Sequence, residues 1–192
     1  MSKQLTNLTI IIIILTIICC GCGCIGEEKE DKKNNGNEEE ELENGFGNMT
    51  LSSPEFENGE KIPAKYTADG EDISPPLTFG DIPKNAQSLA LIMDDPDAPG
   101  GTWVHWIVWN IPPEFIGLSE GEIIPFPHGT NDFGTLDYGG PSPPSGTHRY
   151  YFKLYALDIM LDLEEGATKK QLLDAMEGHV LAKAVLMGKY SR

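Results

Sequence analysis

Cysteine is missing from most of this 192-residue chain: all four, Cys19, Cys20, Cys22 and Cys24, crowd into one short stretch near the N-terminus. The rest of the sequence therefore offers no disulfide, no thiolate metal site and no cysteine nucleophile. The stretch itself has the wrong pattern for zinc, which needs two separated ligand pairs to close a tetrahedron. Basic residues are also scarce, with 14 Lys and Arg against 30 Asp and Glu and a net charge of −16. Such a surface repels phosphate backbones, and no basic stripe interrupts it along the sequence, which argues against nucleic acid as a partner. A Gly-x-Ser-x-Gly elbow is absent. So are His-x-His and His-x-x-x-His spacings. Neither a serine hydrolase nor a metal site is written locally, and no metal or cofactor is expected.

Long hydrophobic runs are equally rare. The clearest follows Lys3 and covers Leu8 to Ile18, about 11 residues of mostly Ile, Leu and Thr. That is the length of a signal-peptide core and short of the roughly 20 residues that span a bilayer comfortably. The Cys/Gly cluster comes directly after it, with Gly21 before Cys22 and Gly23 before Cys24. A small residue before a cysteine at this place resembles the lipobox of exported lipoproteins. Residues 1–24 are read as a signal segment with Cys22 as the lipidation site and Cys24 as the second candidate, or as an uncleaved anchor. Either places the remainder outside the cytoplasmic membrane and tethers it there. Residues 25–47 follow as a spacer, with nine acids and three lysines in Glu27–Glu43. A run so poor in aliphatic and aromatic residues cannot offset the entropy of ordering.

From residue 48 onward, short apolar runs alternate with Pro/Gly turns, which predicts one mostly-β domain over 48–192. Ser88–Met93 and Trp103–Trp109 are apolar on both faces, as central strands covered on both sides are. In Arg149–Leu157 the even positions Tyr150, Phe152, Leu154 and Ala156 form one apolar face, and His148 is in register with it. A helix is predicted to start at Thr168 with a capping box to Gln171, an apolar stripe of Leu172, Leu173, Ala175 and Met176, and a stop at Gly178. His179–Met187 fits a strand or a helix equally by pattern.

Two segments carry titratable groups. Asp94-Asp95-Pro96-Asp97-Ala98-Pro99 is stiffened by its prolines and leads into the strand holding His105. Taken alone it reads as a turn in which the acids cap local N–H groups. His105 among tryptophans is either a satisfied core histidine or one whose tautomer is set by Asp95 or Asp97. His148 and Tyr150 follow a Gly/Pro-rich loop able to offer bare backbone N–H groups to an anion. A water-activating hydrolase using His105 and Asp95 remains a weaker alternative, because Ser142 and Ser145 show no sign of activation.

Taken together these residues resemble the phosphatidylethanolamine-binding protein family, and within it the compact prokaryotic branch. The resemblance rests on Ile62-Pro63-Ala64-Lys65-Tyr66-Thr67-Ala68-Asp69-Gly70 and Ile73–Leu77, on Asp95-Pro96-Asp97-Ala98-Pro99, on Trp103-Val104-His105-Trp106, and on Gly140 to Pro144 with Gly146-Thr147-His148-Arg149-Tyr150. It covers residues 49–192. It implies a β-sandwich of a large and a small sheet with one or two short helices near the C-terminus. It also implies an anion pocket at Asp95, His105, His148 and Tyr150, with Gly140 and Pro143 in its wall, Asp97 and Trp103 close by, and Arg149 bracing the loop. The expected function is a non-enzymatic module holding a small anion such as phosphate, a phosphorylated headgroup or a carboxylate. An inhibitor of a protein partner such as a protease or kinase is the alternative, and a homodimer stays open.

Overall fold

The structure, a computed structural model, describes residues 48–192. The expectations for 1–24, 25–47 and Cys22 lie outside the described residues. Seven strands form two antiparallel sheets. The smaller has the order β1-β2-β5, from β1 (Thr50–Ser52), β2 (Leu77–Gly80) and β5 (Gly117–Leu118). The larger has the order β4-β3-β6-β7, from β3 (Ser88–Asp95), β4 (Trp103–Ile111), β6 (Thr147–Leu157) and β7 (Val180–Ser191). One helix, α1 (Lys169–Met176), connects β6 to β7. This is the mostly-β domain that the sequence pattern predicts, in the two-sheet form that the family resemblance implies.

All eight residues of β3 are buried, because both faces of the large sheet are covered. Leu89, Leu91 and Met93 join Leu51, Leu77 and Phe79 in the core between the sheets. Ala90 and Ile92 face the other way, into a second core with Leu172 and Met176 of α1. The period-two alternation of a strand thus separates consecutive residues into two environments. On β6 the even residues Tyr150, Phe152, Leu154 and Ala156 are fully buried, as their alternation requires.

The ambiguous C-terminal segment is a strand. Its Ala, Leu and Lys content favours a helix only weakly, and pairing with β6 from Thr147↔Ser191 to Leu157↔Val180 outweighs that preference. The outer edge of β7 is covered by Asn58–Ile62, with Gly59 N–H donating to Met187 O at 2.7 Å and Ile62 N–H to Lys189 O at 2.8 Å. Gly188 is a glycine for this reason: a Cβ there would lie 2.4 Å from Ile62 Cγ1. Helix α1 begins at Thr168 with both halves of the capping box formed. Its buried stripe is narrower than the sequence implies, since Leu172 and Met176 are buried while Leu173 is exposed.

Candidate functional site

The local folding of β4 puts His105 where it can act. Met93 pairs with Trp106, and Asp94 with Val104, so the ladder skips His105. The extra residue is a β-bulge, which bends the strand and re-aims a side chain. Its consequence is that Trp106 enters the core while His105, next to it, turns toward the mouth of the sheet. The His105 carbonyl, freed from the ladder, accepts from Gly139 N–H at 3.1 Å and from Asn131 Nδ2 at 3.3 Å.

Sequence reasoning makes Asp95 or Asp97 the partner of His105. The structure corrects this. His105 Nδ1 lies 2.7 Å from Gly139 O. A carbonyl can only accept, so Nδ1 carries the proton and the neutral ring presents Nε2 as a lone pair. Burial holds the His105 pKa below the ordinary imidazole value, against the Gly139 carbonyl and the field of Asp95, which pull it up. The physical reason for the change of partner is the bulge, which brings the ring against the 131–139 loop.

Asp95 instead pairs with His148, Oδ2 accepting from Nδ1–H at 2.7 Å with both side chains almost fully buried. Its other oxygen, Oδ1, accepts from Asp97 N–H at 2.8 Å, which closes the Asp-Pro-Asp turn. Tyr150 contacts both imidazoles, its ring 5.3 Å from that of His105 and stacked 6.5 Å from that of His148. The Tyr150 hydroxyl is buried and has no well-aligned protein partner, while the Asp95 carboxylate and the Ser142 backbone N–H act on it at looser geometry. Burial, and next the field of Asp95, raise its pKa above the ordinary phenol value, so it remains a donor.

These side chains line a cavity of about 230 Å³ together with Trp103, Phe133 and Pro143. Asp97 and Gly140 do not line it. Asp97 Oδ2 accepts from the Arg149 backbone N–H and from Nε, each at 2.9 Å, and Oδ1 accepts from Nη2 at 2.8 Å. The guanidinium holds the Asp97 carboxyl below its ordinary pKa. This pair fastens the Asp-Pro-Asp turn to the start of β6. Gly140 donates its N–H to Asp72 Oδ1 at 2.7 Å, and a Cβ there would meet Thr67 Cα at 2.8 Å. It is a packing glycine behind the wall.

Phe133 is the lining residue that sequence reasoning missed. It stands edge-on to His105 at 5.3 Å and to Trp103 at 5.5 Å. Asn131 builds its turn, accepting from Phe133 N–H and Thr135 N–H on Oδ1 and donating from Nδ2 to Asp137 O. A lone aromatic in a polar Asn/Gly turn was the available signal.

A larger depression of about 580 Å³ lies elsewhere, lined by Asp72, Glu122, Asp137, Glu165 and His128 among others. The His128 ring nitrogens lie against the carbonyls of Leu136 and Ile124. Size alone does not make it the better site. The smaller cavity concentrates imidazoles, a carboxylate and a buried phenol, and it is the stronger candidate.

The comparisons agree with this fold. A family model described as phosphatidylethanolamine-binding protein matches residues 52–191. A UPF0098 protein of Methanothermobacter thermautotrophicus is 54% identical over 152 residues, 75% of this chain and 99% of the relative. A crystal structure of a phosphatidylethanolamine-binding protein homolog from Chlamydia trachomatis superposes with a TM-score of 0.73 at 50% identity, over 75% of this chain and 97% of that one. Escherichia coli YbcL, described as a member of the mammalian family, gives 0.71 at 28% identity, over 76% and 99%. The chain belongs to the phosphatidylethanolamine-binding protein family.

Proposed function

We propose that this protein is a non-catalytic binding module that holds a small oxyanion in the cavity between Asp95, His105, His148 and Tyr150. The observation that carries the reading is the Tyr150 hydroxyl, a buried donor without a well-aligned protein partner, in the wall of a cavity that both imidazoles line. Burying such a group unpaired costs roughly 1–3 kcal/mol, which a ligand oxygen in the cavity relieves. His148 is held by Asp95 at Nδ1, which leaves its Nε2 to meet the same ligand. His105, fixed in the neutral tautomer by Gly139, offers an acceptor instead. The best-matched ligand therefore carries anionic oxygens and one hydroxyl, as hydrogen phosphate or a protonated phosphomonoester does. Sulfate, which lacks that proton near neutral pH, matches less well. Ser142 lines the cavity but makes no hydrogen bond to either imidazole, which supports binding over nucleophilic chemistry.

Isothermal titration of the protein with phosphate, phosphoethanolamine and sulfate tests this. Phosphate is expected to bind more tightly than sulfate, and Tyr150→Phe to weaken phosphate about tenfold, the equivalent of one lost hydrogen bond. The same variant should change stability little, since it deletes a group without a well-aligned protein partner. Absence of binding by all three anions at millimolar concentration ends the reading. Full affinity in both Tyr150→Phe and His148→Ala places the site elsewhere.

A second reading, regulation of a protein partner, is favoured by the exposed mouth. Trp103 is 38% and Phe133 45% accessible there, and aromatic side chains are frequent anchors of interfaces. We also propose export and anchoring through lipid on Cys22. Mass spectrometry of the mature N-terminus checks it, and an unmodified terminus overturns it.

A further inference from the structure

The opposite face of the large sheet holds a second cluster of charge that the cavity does not use. Asp94 is fully buried there. Lys153 Nζ lies 2.8 Å from its Oδ1 and 2.9 Å from its Oδ2. Lys169, the first residue of α1, donates to Oδ2. Lys183 on β7 pairs across with Tyr155 and is diagonal to Lys153, which pairs with Val185. Its ammonium stands 5.4 Å from the centre of the Tyr155 ring. The charges acting on it are those of Lys153, Asp94 and Lys169.

Two ammonium groups thus pair with one carboxylate and a third stands near enough to feel all three charges, an excess of positive charge in a chain whose net charge is −16. Helix α1 adds to it, because its first turn contains no acidic residue to complement the helix dipole. Asp94 is sealed below while the side chains of Lys153 and Lys169 are 25% and 23% accessible. Each ammonium has three N–H donors, and Asp94 has too few lone pairs facing them to occupy all nine. Burial lowers the Lys183 pKa, and the neighbouring lysines lower it further, more than Asp94 restores. An anion bound above the cluster reverses that penalty.

We propose that Lys153, Lys169 and Lys183 form a second anion site, on the face of the large sheet opposite the cavity, that takes a small multiply charged inorganic oxyanion of the phosphate type. The site is independent of the cavity, since Asp94 and Asp95 point to opposite faces of β3 and share no lysine. It uses ammonium donors where the cavity uses imidazole and phenol. It therefore does not require the ligand hydroxyl that His105 asks for, and it accepts sulfate as readily as phosphate.

The test is a nuclear magnetic resonance titration of the lysine side-chain signals of the whole protein with phosphate, with sulfate, and with chloride at matched ionic strength. The Lys183 signal is expected to shift saturably with both oxyanions and to titrate at higher pH in their presence. Lys169→Gln should weaken the apparent affinity at least fivefold, while Lys183→Arg, which keeps the charge, should retain binding. The His148 and Tyr150 signals report the cavity separately in the same samples. A Lys183 shift that is no larger with the oxyanions than with chloride is simple screening and overturns the proposal. So does an oxyanion response unaltered by Lys169→Gln.

Discussion

Asp94 and Asp95 are adjacent in sequence and chemically identical, yet they sit in opposite kinds of site. Asp95 faces inward to His148 and the Tyr150 phenol, in a cavity without a lysine. Asp94 faces outward under lysine ammonium groups. The first pairing orients an imidazole at the wall of a ligand-sized cavity. The second neutralises permanent cations and ties α1 and β6 to the middle of the sheet. What distinguishes them is the partner that each face of β3 presents, because alternation sends neighbours to opposite sides.

The largest effect that can break this contrast is expected from Asp94→Ala. It removes the common counter-ion of Lys153 and Lys169, and should cost about 3 kcal/mol of stability, the lower end for opening a buried ion pair, since the lysines can turn partly to water. Chemical denaturation measures it, and phosphate affinity at the cavity should stay within about twofold. A loss below about 1 kcal/mol, the level of a surface pair, would mean that the outer cluster is only a solvated surface.

Asp95→Asn should be milder for the fold and harsher for the ligand. The amide oxygen can still accept from His148 Nδ1, but the charge that favours the imidazolium is gone. A stability loss of about 2 kcal/mol is expected, that of a charge-assisted hydrogen bond, with phosphate affinity falling about tenfold. Equal affinity in Asp95→Asn and wild type would show that His148 binds as a neutral ring and would erase the functional half of the contrast.

The smallest effect sharpens the cavity's own division of labour. The folded pKa of His105 lies below its unfolded value, so the unfolded chain takes up more protons as pH falls. Stability from this group is complete above the unfolded imidazole pKa of about 6.5 and declines as pH drops below it. His105→Gln should flatten the slope of stability against pH between 7 and 5, measured by urea unfolding. Asp97, also depressed by its Arg149 partner, contributes above the unfolded carboxylate pKa of about 3.9, and its share is lost only at more acidic pH. An unchanged slope in His105→Gln would assign the neutral-range titration to another group.

Much of the sandwich could be read in advance. Unbroken apolar runs such as Ser88–Met93 have no way to be covered on both faces except in the middle of a sheet. The alternation of Tyr150, Phe152, Leu154 and Ala156 specifies which side of β6 is inward. The capping box at Thr168 is a local interaction complete within four residues. The 180–187 segment resisted such reading because its partner strand lies some thirty residues upstream, and eleven ladder pairs with β6 decide its conformation. Leu173 was misplaced in the stripe because helical period alone does not show how wide a face the sheet will cover.

The site was legible as a set of residues and illegible as a set of bonds. Stiff turns, acids and two imidazoles beside apolar strands single out the two segments, and the family resemblance narrows them to Asp95, His105, His148 and Tyr150. The exchange of partners between the two histidines depends on a one-residue bulge at His105, and a bulge is a property of two paired strands, not of one. Phe133 entered the lining only through the turn that Asn131 organises.

The sequence by itself determined the central strands and their inward faces, because periodicity and turn chemistry act over a few residues, and its motifs carried the family resemblance. Only the tertiary structure decided which imidazole Asp95 holds, and that Lys153, Lys169 and Lys183 meet over Asp94 in a chain without a basic stripe. Those outcomes depend on side chains drawn together from β3, β6, α1 and β7, and the energy of a charge depends on what folding places beside it and how little water is left between them.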